Sequence, residues 1–226
     1  MAKTVTIAID GPAGAGKSTI ARKLAAELGY YYVDTGAIYR TVAYFLDLLG
    51  ISPKDSDGVE RYLDELTVEI AYDEEGKQHM LMNGMDVTDD IRTQDISQKA
   101  SLISAHAVVR EVLLDMQRDM AKNYNVIMDG RDIGTVVLPK ATVKIFLTAA
   151  PEVRAKRRYD ELIAKGQKAK LETVLKEIQQ RDYQDTHREI APLKLARDSI
   201  KVDTSDMDIE QVIAHIREIC GKKIPV

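Results

Sequence analysis

The chain has 226 residues, which at ~150 residues per domain corresponds to about one and a half domains, so one compact body carrying an inserted or appended part is expected. Its 32 Lys and Arg against 36 Asp and Glu give a net charge of −4 and an isoelectric point near 5.7, excluding the uniformly basic surface of a protein that coats nucleic acid. Any cationic chemistry must be local. Cys220 is the only cysteine, which leaves no intrachain disulfide and no Cys-based zinc cluster, and His79, His106, His187 and His215 are scattered without a metal-ligand spacing. No run approaches ~18 apolar residues, and MAKTVTIAIDG leads straight into a strand pattern without a long apolar segment, so a soluble, cytoplasmic protein is expected.

In chain order, Thr4 to Ile9 (TVTIAI) reads as a buried strand, Lys17 to Leu28 as a helix, Tyr31 to Val33 as a second strand and Ala37 to Leu49 as a second helix. From Leu66 to Val87 the pattern changes. Val68, Ile70 and Tyr72 alternate, Asp73 to Gly76 forms a turn, and Asn83-Gly84 is a hairpin signal, so a small antiparallel meander is expected inside an α/β body. A long helix is then predicted over Ile96 to Lys122, followed by strands at Val126 to Met128 and Val143 to Leu147. Helices are predicted at Pro151 to Lys165 and Leu171 to Tyr183, a strand at Ile200 to Val202 and a last helix at Ile209 to Cys220. Alternating strands and helices predict a mostly parallel sheet with helices on both faces.

Gly11-Pro12-Ala13-Gly14-Ala15-Gly16-Lys17-Ser18, followed by Thr19, fits G-x-x-x-x-G-K-[ST] between the first strand and the first helix, the context this phosphate loop requires. Its curled backbone points N–H groups inward and the helix N-terminus adds partial positive charge. Lys17 would bridge the β- and γ-phosphates, and Ser18 would offer its hydroxyl to Mg²⁺. The loop alone does not separate kinases from switch GTPases or motor ATPases; a guanine-reading N/T-K-x-D signature is missing from the sequence.

Asp34-Thr35-Gly36-Ala37-Ile38-Tyr39-Arg40 follows the second strand, so Thr35 and Arg40 should emerge beside the phosphate loop and suit one phosphate; the plain alternative is a helix cap and a surface charge. Asp129-Gly130-Arg131-Asp132 follows an apolar run, with Asp129 at a Walker-B position. Arg154, Arg157 and Arg158 cluster on one helix, and Arg181, Asp185 and Arg188 recur at i, i+4 and i+7, a spacing that predicts a single helix face. These arginines have few carboxylates at i−4 to pair with.

With GPAGAGKST, DTGAIYR, DGRDIGTVV and RDYQDTHREIAPL in this order, the chain resembles the bacterial cytidylate kinases, members of the nucleoside monophosphate kinase family, from end to end. The resemblance implies a P-loop kinase fold: a five-stranded parallel sheet flanked by helices, a small antiparallel insert in the monophosphate-binding part, and a helical lid. It implies a core at 1–36, 94–150 and 186–226, a monophosphate-binding part at 37–93 and a lid with its flanking helices at 151–185. It also implies roles. Thr35, which stands where many relatives have Ser, would hold the acceptor phosphate with Arg40, Arg131 and Arg188; Ser101, Arg110 and Asp132 would read cytosine; Arg181 and Asp185 would bind the sugar. Arg154, Arg157 and Arg158 would belong to the lid over ATP, with Lys17, Arg131, Arg158 and Arg188 acting in catalysis. The implied reaction is ATP- and Mg²⁺-dependent phosphorylation of CMP or dCMP in pyrimidine nucleotide metabolism, by a monomer engaging neither nucleic-acid polymer nor membrane. A UMP kinase and a nucleotide-dependent switch protein are the rival readings.

Overall fold

The computed structural model describes residues 4–224, so residues 1–3 and 225–226 of the expected core lie outside the described residues. Five parallel strands form the central sheet in the order β2-β6-β1-β7-β8, with β1 at Thr6–Asp10, β2 at Tyr31–Asp34, β6 at Val126–Gly130, β7 at Val143–Thr148 and β8 at Ile200–Asp203. β-Branched residues fill these short strands because both faces of the sheet are covered. Successive side chains alternate between two cores. Ile7 and Ile9 of β1 and Ile127 of β6 face one side, with Leu24, Leu147 and Ile216; Ala8, Val126 and Met128 face the other, with Ile38, Leu46 and Leu113.

The flanking helices are α1 (Lys17–Leu28), α2 (Thr35–Leu48), α3 (Ser56–Leu63), α4 (Gln94–Ile103), α5 (Ala107–Asn123), α6 (Pro151–Ala164), α7 (Leu171–His187) and α8 (Ile209–Lys223). Two expectations are corrected. The single helix over Ile96 to Lys122 is broken: Ser104 closes α4, its hydroxyl donating to the Ser101 carbonyl at 2.8 Å, and His106 precedes α5 with Nε2 donating to the Pro53 carbonyl at 2.8 Å. The apolar period runs on through the break, so periodicity could not reveal it. The helix expected to end at Tyr183 continues to His187, and Arg188 lies just past its end with extended backbone (φ −63°, ψ 142°). Arg188 therefore does not share a helix face with Arg181 and Asp185. The short helix α3, capped by Asp55 through the Gly58 N–H, was not signalled by a long periodic run.

The meander is present as a second sheet, with β3 (Val68–Tyr72), β4 (Gln78–Met82) and β5 (Met85–Asp86) antiparallel in that order. It is not an independent unit. Met80 and Met82 of β4 sit in the same core as Ile38 and Met128, and Gln78 Oε1 accepts from the Asp34 N–H at 2.7 Å. No helix among the described residues is long and apolar enough to cross a membrane.

On the outer face of the meander His79 bridges two carboxylates, with Nδ1 2.7 Å from Asp86 and Nε2 3.2 Å from Asp73. Hydrogen bonds to these carboxylates raise the His79 imidazole above its ordinary 6.5; bonds from Thr88 hold Asp86 down at about 2, and the Lys77 N–H lowers Asp73. A raised imidazole stabilises fully below 6.5 and loses its contribution as pH rises through the raised value; the lowered carboxylates contribute above 3.8 and lose it on acidification. Replacing His79→Gln should therefore lower Tm most between these limits, and the difference from wild type should shrink as pH is raised through the imidazole's titration. Thermal melts across pH measure it, and a pH-independent difference would contradict the bridge.

Candidate active site

Parallel pairing brings the carboxyl ends of three strands level: Asp10 lies opposite Gly130, and Asp34 opposite Asp129. The residues that follow these strands therefore share one edge, where an open α/β sheet binds ligands. At the end of β1 the chain turns at Gly11, where a Cβ would lie 1.9 Å from the Leu147 carbonyl oxygen, so only glycine fits. Gly14 and Gly16 have left-handed φ of +73° and +86°, and the curl they permit delivers the chain into α1 at Lys17. Lys17 is buried, and its ammonium donates to the Pro12 carbonyl at 2.8 Å across the loop. Burial, then the neighbouring Arg131, push the Lys17 ammonium down to about 7.

Ser18 Oγ donates to Asp129 Oδ2 at 2.9 Å, and the buried Tyr32 hydroxyl donates to Asp129 Oδ1 at 2.8 Å. Burial and the nearby Asp34 raise the Asp129 carboxyl above its ordinary value, an electrostatic penalty that a cation would offset. Among the described residues no group of three or more His, Cys, Asp or Glu could hold a metal ion. Mg²⁺ is usually held by one or two carboxylates with water and phosphate oxygens, so a serine hydroxyl beside a Walker-B aspartate fits it.

On the acceptor side Asp34, not Thr35, caps α2 by accepting from the Ala37 N–H at 2.9 Å. Thr35 is buried and its hydroxyl donates to the Asp129 carbonyl at 2.7 Å, tying α2 to β6. A Cβ on Gly130 would lie 2.8 Å from that hydroxyl. Arg40 pairs with Asp34 at 2.9 Å, while its buried Nε has no partner. Arg181 Nε is buried without a partner as well; burial, then Arg131, push this guanidinium down to about 10. Arg131 donates to Asp185 at 2.7 Å; burial opposes its charge, but Asp185 outweighs burial and holds the Arg131 guanidinium up. Burial likewise works against the Asp185 charge, and Arg131 and Arg181 overcome it, so the carboxyl is lowered.

A second carboxylate organises the other end of the edge. Asp132 sits between two guanidiniums: Arg110 pairs with Oδ2, and Arg188 lies 3.2 Å from Oδ1. Arg110 also donates to the Ser104 carbonyl at 3.2 Å, and Arg188 to the Ser104 hydroxyl at 3.0 Å. The helix break at Ser104 thus supplies a carbonyl that an unbroken helix would have used internally. Ser101 lies half-buried one turn earlier on α4. Ala191, with left-handed φ of +50°, presents its carbonyl to Arg188 Nε at 2.8 Å, a strained backbone at a site edge.

The three α6 arginines behave differently from one another. Arg154 is 3% exposed and donates to the Ala149 carbonyl, to Ala13 of the phosphate loop at 3.0 Å, and to both oxygens of Asp182 on α7. Arg157 donates to the hydroxyl and carbonyl of Thr204 in the turn after β8. Arg158 is half-buried and bonds only weakly to Glu161, at 3.2 Å. The i−4 count misjudged these partners, because Asp182 comes from the adjacent helix and Glu161 from three residues ahead.

A family model described as cytidylate kinase matches residues 7–222. The chain belongs to the cytidylate kinase family. It is 49% identical over 217 residues to a cytidylate kinase of Carboxydothermus hydrogenoformans, spanning 96% of this chain and 97% of that protein. It is also 49% identical over 223 residues to one from Ligilactobacillus salivarius, spanning 99% of each. The crystal structure of an uncharacterized protein from Eubacterium ventriosum superposes with a TM-score of 0.52 at 14% identity, covering 96% of this chain and 99% of that one, and so shares the fold.

The motifs single out Thr35, Arg40, Arg131, Asp132, Arg181, Asp185 and Arg188 as site candidates together with the phosphate loop Gly11 to Thr19. They did not single out Ser104, Tyr32 or Ala191, which act through backbone carbonyls, a buried hydroxyl and a strained φ. A buried serine or tyrosine has no spacing signature. Arg154 joins the phosphate loop to both α6 and α7, so Arg154→Lys keeps the charge but loses the fork. It should lower stability by about 1–3 kcal/mol, the range for unpairing buried polar groups, in urea unfolding. It should also raise KM for ATP more than KM for the acceptor in initial-rate kinetics; unchanged stability would contradict the fork.

Proposed function

We propose that this chain transfers the γ-phosphoryl group of ATP to CMP or dCMP, giving ADP and CDP or dCDP. The observation that carries the reading is a pair of buried, unpartnered guanidinium N–H groups, on Arg40 and Arg181, at the edge the phosphate loop occupies. Buried donors without acceptors are costly, and the oxygens of a nucleotide, phosphate for Arg40 and sugar hydroxyl for Arg181, are acceptors they suit. Arg40, Arg131 and Arg188, with Thr35, would hold the acceptor phosphate, and Arg181 with Asp185 the sugar. Gly11, Pro12, Ala13, Gly14, Ala15, Gly16 and Thr19 would cradle the donor phosphates around Lys17. Ser18, with Asp129, would hold Mg²⁺, which would supply positive charge to offset that on the phosphates.

Two anions must meet in line, so catalysis would consist of positioning and charge neutralisation. An acceptor phosphate with a second pKa of about 6 is already ionised near neutrality, so it needs no base to deprotonate it. This explains an arginine inventory in place of a histidine pair. Movement of the 151–185 lid over the core at 1–36, 94–150 and 186–226, with acceptor bound by the 37–93 part, would exclude water and bring Arg158 toward the phosphates. The same reading expects a cytoplasmic monomer acting on free nucleotides rather than on nucleic acid or membrane.

Base choice would rest on Asp132, Arg110 and Ser101. Cytosine offers an N4 amine to a carboxylate and ring acceptors to a guanidinium; uracil would set O4 against the carboxylate. Lys17→Ala should keep the cooperative fold and lower kcat by about a thousandfold, since it removes a cation from the transferring phosphate. Near wild-type turnover would defeat the assignment. Asp132→Ala should cut the CMP-to-UMP ratio of kcat/KM by roughly a hundredfold, as loss of a specific buried acceptor does. An unchanged ratio would remove Asp132 from base reading.

A further inference from the structure

Asp10 has no part in the roles above, yet it is buried with both carboxylate oxygens hydrogen-bonded. It ends β1, is 2% exposed, and spends both oxygens on main chain: Oδ1 accepts from the Ile133 N–H and Oδ2 from the Gly134 N–H, each at 2.7 Å. These two N–H groups open a wide helical turn over Ile133–Val137 that starts directly after Asp132. Inside the turn, Val136 and Val137 donate to the Asp132 carbonyl and Leu138 donates to Ile133. The first N–H groups of such a turn have no internal acceptor. A carboxylate from a strand 123 positions away supplies it, where a cap would ordinarily come from the residue just before.

The arrangement is costly. Burial raises the Asp10 carboxyl to about 6 and Asp132 adds to the rise, while the Gly134 and Ile133 N–H groups and Lys17 pull the other way. Room is tight as well, since a Cβ on Gly134 would lie 3.2 Å from Asp10 Oδ2 and 3.2 Å from Lys144 Cδ. Two parallel N–H groups demand two acceptors on one rigid plane, which a carboxylate provides and an amide does not.

We infer that Asp10 is a positioning residue for acceptor choice: its paired hydrogen bonds fix the turn that aims Asp132 between Arg110 and Arg188. Asp10 also immediately precedes Gly11, so the residue that holds this turn adjoins the phosphate loop. The inference rests on the proposed cytosine-reading role of Asp132.

A double-mutant cycle of Asp10→Asn and Asp132→Ala, read as the CMP-to-UMP ratio of kcat/KM, tests it. Asp10→Asn leaves one N–H facing an amide donor, and the ratio should fall about fivefold, the equivalent of ~1 kcal/mol for one unpaired buried group. In the Asp132→Ala background the same change should leave the ratio unaltered, because coupled residues are not additive. Equal losses with CMP and UMP, or a full additive loss in the double variant, would overturn the inference. Should Asp132→Ala alone collapse the ratio while Asp10→Asn leaves it at the wild-type value, Asp10 is excluded and the role of Asp132 stands. Should Asp132→Ala leave the ratio unchanged, both fall. Where Asp10→Asn does not fold, Gly134→Ala crowds the same carboxylate, should lower the same ratio, and overturns the inference if it does not.

Discussion

Crowding the buried Lys17 with the half-buried Arg131 and Arg181 shields these cations from water and sets them against one another, which is why Lys17 falls to about 7 and Arg181 to about 10. The fold offsets this with a minimal set of carboxylates. Asp185 takes Arg131, Asp34 takes Arg40, and Asp132 is shared by Arg110 and Arg188. The compensation is partial by construction, since the Nε groups of Arg40 and Arg181 are left without partners. A buried ion pair adds little to stability compared with a packed apolar contact, so the cluster suits the anion-binding role proposed for it better than that of a structural clamp. It also reconciles a chain of net charge −4 with phosphate chemistry. Position along the sheet matters here, and the total does not.

Everything that holds the cluster depends on the strand register. Asp10 and Asp34 end β1 and β2, and Asp129, the last residue but one of β6 between them, pairs with Asp34; their side chains hold a turn, a helix N-terminus, and a serine and a tyrosine hydroxyl respectively. Slipping one strand by a residue would exchange its core faces and move its terminal carboxylate out of reach. The site is therefore fastened to the most buried part of the molecule, where packing resists small displacements. The α6–α7 hairpin is fastened differently. It has its own small core around Ala155, Leu162, Val174 and Ile178, and Arg154 bridges it to the phosphate loop. That division lets Arg154 sit against the phosphate loop without the hairpin sharing the main core.

Most of the sheet and the phosphate loop were legible in the sequence, because β-branched runs and the glycine spacing each have a single physical cause. The meander was legible for the same reason, through alternation ending at Asn83-Gly84. What escaped was tertiary. The break at Ser104 leaves the apolar period intact, and what it supplies, a carbonyl for Arg110 and a hydroxyl for Arg188, appears only when α4, α5 and the end of α7 are packed together. Spacing predicts Arg188 on a helix face, whereas the helix ends one residue earlier. Residue type alone matches Thr35 and Arg40 to a phosphate. The structure shows that Thr35 also ties α2 to Asp129, and that Asp34 serves as the cap. Asp10 carried no motif of its own, since a strand-terminal aspartate is common and its two partners lie more than a hundred residues away.

The central claim is that these cations exist to bring ATP and a cytidine monophosphate together. It is tested most directly by one coupled assay of ADP formation from ATP and Mg²⁺, with CMP, dCMP, UMP, AMP and dTMP as parallel acceptors. The account predicts acceptor-dependent turnover with CMP and dCMP well above that with the other three. Tight nucleotide binding with no acceptor-dependent ADP, or equal rates with every acceptor, would contradict it.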